Sequence, residues 1–314
     1  MIRIVEMQLK RFLPALISLV ALTLSGCGGG GGHAGIPPAP SFWNFRTSGT
    51  GNTLFSVGVF STQAVAVGAL GTILTSPDGM TWTSRSSGIT FHLNGVAASG
   101  TTAVAVGDVG AIITSADLAS WTPRTSGTTN RLRGVAWTGT QFVAVGDAGT
   151  ILTSPDGTTW TPQTSGTASD LYAAAASSGI IVAVGGGIFT SPTGTVWTSR
   201  TSVGGNVLHG VVWSGAQFLI VGDSASGTRL TTQTSYDGIT WTARYNTWAN
   251  GMLAAAWSGS EFMIVGQSGV TQHSADGIAW TVELLDAGGD LNGVSWLGNR
   301  FVAVGSAGEI ITTQ

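Results

Sequence analysis

The sequence predicts an all-β, seven-bladed β-propeller with four-stranded blades. Three observations carry that prediction. A four-part phrase recurs along the chain; it holds strand and turn signals without helical periodicity; and the piece missing from the last repeat stands ahead of the first.

The phrase is plainest in the middle of the chain. Gly134-Val135-Ala136-Trp137 is followed by Phe142-Val143-Ala144-Val145-Gly146, then by Ile151-Leu152-Thr153-Ser154, then by Thr159-Trp160-Thr161. We name these segments strands a, b, c and d. The tryptophan of the last segment falls at Trp43, Trp82, Trp121, Trp160, Trp197, Trp241 and Trp280, with spacings of 39, 39, 39, 37, 44 and 39 residues. Val, Ile, Phe, Thr and Trp fill the runs, as pleated surfaces prefer, and Asp-Gly and Ser-Gly pairs separate them. Small residues crowd strands a and b, as at Ala173–Ala176 and Ala254–Ala256, which suits inner strands near a crowded axis.

Closure follows from the ends. Complete units run 56–94, 95–133, 134–172, 173–209, 210–253 and 254–292, and the last, 293–314, stops after strand c. Its strand d is supplied by Phe42-Trp43-Asn44-Phe45-Arg46, which matches Val196-Trp197-Thr198-Ser199-Arg200. Pairing the two ends removes an open sheet edge that would recruit other chains.

Residues 1–26 are expected to be a targeting segment. Arg3, Lys10 and Arg11 precede an apolar run from Phe12 to Leu24, short for a membrane span. The run ends in Leu24-Ser25-Gly26-Cys27, which resembles a bacterial lipobox. The resemblance implies cleavage before Cys27 and lipidation of its sulfur. Cys27 is the single cysteine, so no disulfide framework is expected. Residues 27–41, rich in Gly and Pro, form a tether. No Asp follows the cysteine, and the expected location is the outer membrane of a bacterial envelope, with the lipid anchor as the only membrane contact.

The leader holds the only lysine. Without Arg3, Lys10, Arg11 and Glu6, the 12 basic and 15 acidic residues become 9 and 14, a formal charge of −5. No basic stripe remains, which argues against nucleic acid as a partner.

The c–d turns read Ser76-Pro77-Asp78-Gly79, Ser154-Pro155-Asp156-Gly157, Ser235-Tyr236-Asp237-Gly238 and Ser274-Ala275-Asp276-Gly277, each with a tryptophan three residues beyond the glycine. Ser115–Trp121 lacks the glycine, and Ser191–Trp197 has Thr193 in place of Asp. These turns resemble the Asp-box, or BNR, repeats of sialidase-type propellers, one residue shorter between Asp and Trp. With the preceding Val-Gly-x-x-Gly, the unit looks more like propellers of the photosystem II assembly-factor type and their non-photosynthetic relatives. The resemblance spans residues 42–314 and implies the fold, with assistance to assembly of a membrane complex as the associated role. Locally, the Asp should accept turn amides and the Trp should pack beneath the hairpin. A single carboxylate per turn is a poor calcium site.

No catalytic constellation emerges. A sialidase needs an arginine triad, a Tyr/Glu nucleophile pair and an acid. Arg46, Arg85, Arg124, Arg200 and Arg244 instead repeat with the fold and read as outer-strand surface residues. Glu261, Glu283 and Glu309 have no tyrosine beside them in sequence. No metal site or cofactor is expected. Val-Gly-x-x-Gly recurs in most blades and is a b–c turn, not a nucleotide fingerprint.

The repeats differ most around one apolar position, occupied by Leu54, Leu93, Leu132, Leu171, Leu208, Met252 and Leu291. The flanking residues vary and are expected in d–a loops around one mouth of the channel. His92, Asn94, Arg131, Arg133, Asp170, Tyr172, His209 and Asn292 are the candidate partner-binding residues. Tyr245 and Trp248, in the irregular exit of blade five, form a second candidate patch; the b–c turn of that blade is also longer, from Asp223 to Leu230. The expected function is that of a monomeric, noncatalytic lipoprotein scaffold that binds a protein partner. The alternative is a carbohydrate-active or carbohydrate-binding propeller, sialidase-like or lectin.

Overall fold

The computed structural model describes residues 42–203, 207–223, 232–244, 251–285 and 289–314. The chain divides into Met1–Ala39 and Pro40–Gln314. The leader, Cys27, the tether, most of the long turn of blade five, Tyr245 and Trp248 lie outside the described residues.

Seven antiparallel four-stranded sheets are present, each ordered a-b-c-d. The seventh is built from both ends of the chain. Strand Trp43–Arg46 pairs with Ile310–Thr313, Trp43 opposite Thr313 and Arg46 opposite Ile310. The ring closes as the matching ends required. Trp43 is buried, and its Nε1 donates to Thr271 Oγ1 of blade six at 3.1 Å, so the closing strand is tied to two blades.

Apolar layers between adjacent blades hold the ring together. One such layer joins Val104, Val106 and Ile112 of blade two to Phe142, Leu152 and Trp160 of blade three. Trp137 tilts onto Phe142 at 4.7 Å, and blades five and six repeat the pair as Trp213–Phe218 and Trp257–Phe262 at 4.5 and 4.4 Å. Each pair adds about 1 kcal/mol beyond its buried area.

Small residues are required where inner strands meet. A Cβ on Gly134 would lie 2.5 Å from the carbonyl oxygen of Tyr172 in the next blade. A Cβ on Gly107, at the end of strand b, would lie 1.9 Å from the carbonyl oxygen of His92. The recurrent Val-Gly is therefore a steric demand. The b–c turn that follows is a short 3-10 turn with one left-handed residue, such as Ala148 at φ 54°.

The c–d turns are held as their composition suggests. Asp78 Oδ1 accepts the amides of Met80 and Thr81 at 2.8 and 2.9 Å, and Trp82 Nε1 donates to the Gly79 carbonyl. These bonds hold the Asp78 carboxyl down at about 2. In the turn that lacks glycine, Leu118 itself takes φ 61°, and its side chain fills the layer between blades one and two.

The repeated arginines need a correction. They are half-buried clips, not simple surface residues: Arg85 Nε donates to Thr75 Oγ1 at 2.9 Å and Arg124 Nε to Thr114 Oγ1 at 2.8 Å. Arg46, Arg200 and Arg244 do the same with Thr312, Thr190 and Thr234.

Candidate functional site at the mouth of the channel

The innermost strands are Leu54–Phe60, Leu93–Ala98, Leu132–Trp137, Leu171–Ala176, Leu208–Trp213, Met252–Trp257 and Leu291–Trp296. Each bulges immediately after its first residue. In blade three, Leu132 lies opposite Gly146 and Gly134 opposite Val145, which leaves Arg133 as the extra residue. The same register shift occurs in the other six blades. The extra residues are Phe55, Asn94, Arg133, Tyr172, His209, Leu253 and Asn292.

This corrects the expectation that they sit in d–a loops: they belong to the strands. The extra residue breaks the two-residue alternation and re-aims its side chain. All seven side chains line one cavity of about 530 Å³, which His92 and Arg131 also line. Phe55 and Leu253, absent from the candidate set, complete the ring. Deeper down, Val57, Val96, Val135 and their equivalents make the wall aliphatic. A polar rim over an apolar wall, at this volume, suits a ligand or an inserted side chain.

The residues that precede the buried apolar position have a second task. Four of them reach back to the b–c turn of the preceding blade. His92 Nδ1 accepts the Leu70 amide at 3.0 Å, Asp170 Oδ1 the Ala148 amide at 3.0 Å, and Asp290 Oδ1 the Ser268 amide at 2.9 Å. Arg131 Nε instead pairs with Asp108 Oδ1 at 2.8 Å. His92, Arg131 and Asp170 thus join blades as well as edge the mouth.

The bulge residues of blades three to five form one network, and that of blade two adjoins it through the Leu132 backbone. Asn94 Nδ2 donates to Asp108 Oδ1 and to the Leu132 carbonyl, both at 2.9 Å. Arg133 pairs with Asp147 and, at 3.3 Å, with Asp170. Its guanidinium lies 4.6 Å above the centre of the Tyr172 ring, a cation–π contact. Tyr172 meets His209 edge to face at 5.3 Å, and His209 Nε2 lies 3.0 Å from Asp223 Oδ1. On the other side of the ring, Asn292 Nδ2 donates to the Leu54 carbonyl at 2.9 Å. Leu253 and Phe55 are its apolar members.

Sequence reasoning missed Asp108, Asp147 and Asp223. They occupy the first position after Val-Gly, where the other blades carry Ala69, Gly186, Gln267 and Ser306. That variation at a repeated position was the available signal. Chemically, the mouth offers hydrogen bonding, charge and aromatic faces. Among the described residues, no group of three His, Cys, Asp or Glu is placed to hold a metal ion. The lining includes one serine, Ser56, on blade one, whereas the His209–Asp223 pair belongs to blade five.

No protein-family model matches the chain, and no curated protein matches it. Solved structures do. The chain is similar to YCF48 bound to a D1 peptide, at 18% identity over 87% of this chain and 95% of that one, with a TM-score of 0.71. It is similar to YCF48 from Cyanidioschyzon merolae, at 16% identity over 87% and 98%, with a TM-score of 0.69. The WD40 propeller domain of Doa1 also matches, at 12% identity over 86% and 97%, with a TM-score of 0.69. At these identities the likeness is one of fold.

Proposed function

We propose that the protein is a noncatalytic, lipid-anchored propeller of the bacterial envelope that binds a segment of a protein partner in its channel mouth. One observation carries the reading. At a position the fold repeats seven times with the same backbone, the chain places six different side chain types, all facing one cavity. Asn94 and Asn292 tie their blades to the next one, but the bulge forms whichever side chain stands there, so the variety around the ring answers to more than the fold. The similarity to YCF48 bound to a D1 peptide supports a peptide-like ligand in a propeller of this kind. Aid to assembly of a membrane complex, attachment through Cys27 at the outer membrane and a monomeric state belong to the same proposal.

The test uses the full-length protein in its own membranes, with a photo-crosslinking amino acid at Phe55 or Leu253. Discrete protein adducts are expected, and they should vanish when Arg133, Tyr172 and His209 are replaced by alanine. Adducts that survive those changes would sink the assigned face. A glycan array on the same preparation covers the sugar-binding alternative. Loss of lipid labelling in Cys27→Ser tests the anchor.

A further inference from the structure

Among the exposed apolar side chains, three on blades one and two stand where sister blades carry small or polar ones. Leu70 is 63% exposed, Phe91 49% and Val109 54%. Leu70 and Val109 occupy the left-handed position of the b–c turns of blades one and two, at φ 55° and 57°. The same position is Ala148, Ser268 and Ala307 in other blades. A β-branched residue in that conformation is strained, and an exposed one gains no burial in return.

Phe91 is the clearer exception. In blade one, Asn52 Nδ2 clips Thr72 Oγ1 at 2.9 Å, and in blade three Asn130 Nδ2 clips Thr150 Oγ1 at 2.8 Å. Blade two has Phe91 and Ala111 at these two places, and the clip is gone. His92 ties together the three segments that carry these side chains. Leu70 donates its amide to His92, beside Phe91, and Asp108, beside Val109, donates its amide to the His92 carbonyl at 3.0 Å. His92 also lines the cavity, which sets these segments beside the mouth.

The mouth has a charge of its own. Arg131 and Arg133 line the cavity itself, and Asp108, Asp147, Asp170 and Asp223 stand one bond behind lining side chains, with Asp290 at the position in blade seven that matches Asp170; counted together this face carries an excess of three negative charges with histidine neutral. Both arginines are already paired within this set. The outer-strand arginines turn away: Arg85 lies opposite Ile73 but reaches Thr75, two residues further from the mouth.

We infer that the occupant of this face is a protein segment that places a Lys or Arg side chain in the mouth and lays apolar side chains over Leu70, Phe91 and Val109. The inference rests on the proposed role of the mouth and specifies the chemistry of its partner. The excess of carboxylate attracts a cation, and the adjoining apolar patch gives the same segment an area to bury.

Full-length protein in detergent is probed with an array of short random peptides. Sequences that combine a basic residue with neighbouring apolar ones should be enriched. Their binding should fall about tenfold or more when the patch is replaced by what its sister blades carry: Leu70→Ala, Val109→Ala, and Phe91→Asn with Ala111→Thr. These changes restore the ordinary turn and clip, so the melting temperature should hold or rise, which separates lost binding from lost folding. Asp147→Asn together with Asp223→Asn should weaken the basic peptides and spare neutral ones. Enrichment of acidic or neutral peptides, abolished by Arg133→Ala, overturns this inference and leaves the mouth as a protein site. Absence of any enriched peptide, or binding unchanged by the patch variants, also overturns it. The crosslinks at Phe55 or Leu253 then decide separately whether the broader reading survives.

Discussion

The outer hairpins and the inner bulges both recur around the ring, and they use repetition in opposite ways. In the hairpins the side chain recurs with the backbone. Asp78, Asp156, Asp237 and Asp276 each accept two turn amides, and Asp117 does so without the usual glycine. At the bulges the backbone recurs and the side chains do not. The lesson is that a side chain which closes its own turn is fixed by the fold. One that leaves its strand for the channel is free to differ, and there the sequence records something beyond folding.

The sharpest test of the fold side of this comparison is steric. Gly107→Ala puts a Cβ where the His92 carbonyl oxygen stands, and only backbone movement relieves it. A stability loss of about 3 kcal/mol or more is expected in urea denaturation. Gly100→Ala, with nothing within 4 Å, is the control and should stay within about 0.5 kcal/mol. Trp160→Ala, which empties the layer between blades two and three, should cost about 3 kcal/mol. Equal and small effects for Gly107→Ala and Gly100→Ala would break the claim that Val-Gly is a packing demand.

Acid should strip the hairpins of their bonds. Asp78, Asp156 and Asp237 are lowered from 3.8 to about 2, Asp78 and Asp237 chiefly by turn amides and Asp156 first by the Thr158 hydroxyl. A carboxyl lowered by folding stabilises the fold fully above its unfolded value and loses that contribution as pH falls towards the folded one. Stability should therefore drop as pH falls from 3.8 to about 2. Glu283 and Glu309 work in the opposite direction, since burial raises them above 4.5. Their penalty is present at neutral pH and relieved on mild acidification. A denaturation series should show stability rising slightly from neutrality before it falls. Asp156→Ala should cost about 1 kcal/mol at neutral pH and flatten the acid limb.

Much of this was legible in the chain. The seven tryptophans gave the blade count, and Trp43-Asn44-Phe45-Arg46 gave the closing strand. Variation after Leu132 and its equivalents gave most of the ring. The bulge was hidden because the extra residue lies within an apparently continuous run, Leu132-Arg133-Gly134-Val135, and a register shift leaves no mark in composition. Asp147 and Asp170 show a second limit. They lie 23 residues apart in sequence and meet only through Arg133, when one blade packs against the next. Periodicity predicts which residues share a position, but it does not predict which neighbours they touch.

A small stability effect at the ring carries the most weight. Tyr172→Ala removes an aromatic from the ring but none of the buried layers between blades, so it should cost under about 1 kcal/mol. The same change removes the surface on which Arg133 lies and the edge contact to His209, so partner crosslinking should be lost. Trp160→Ala should show the reverse order, a large stability loss with crosslinking kept in the fraction that folds. If Tyr172→Ala destabilises as much as Trp160→Ala, the ring is part of the scaffold and its variation is packing noise. If it leaves both stability and crosslinking untouched, the bulges are ornament, and the function must lie elsewhere on the propeller.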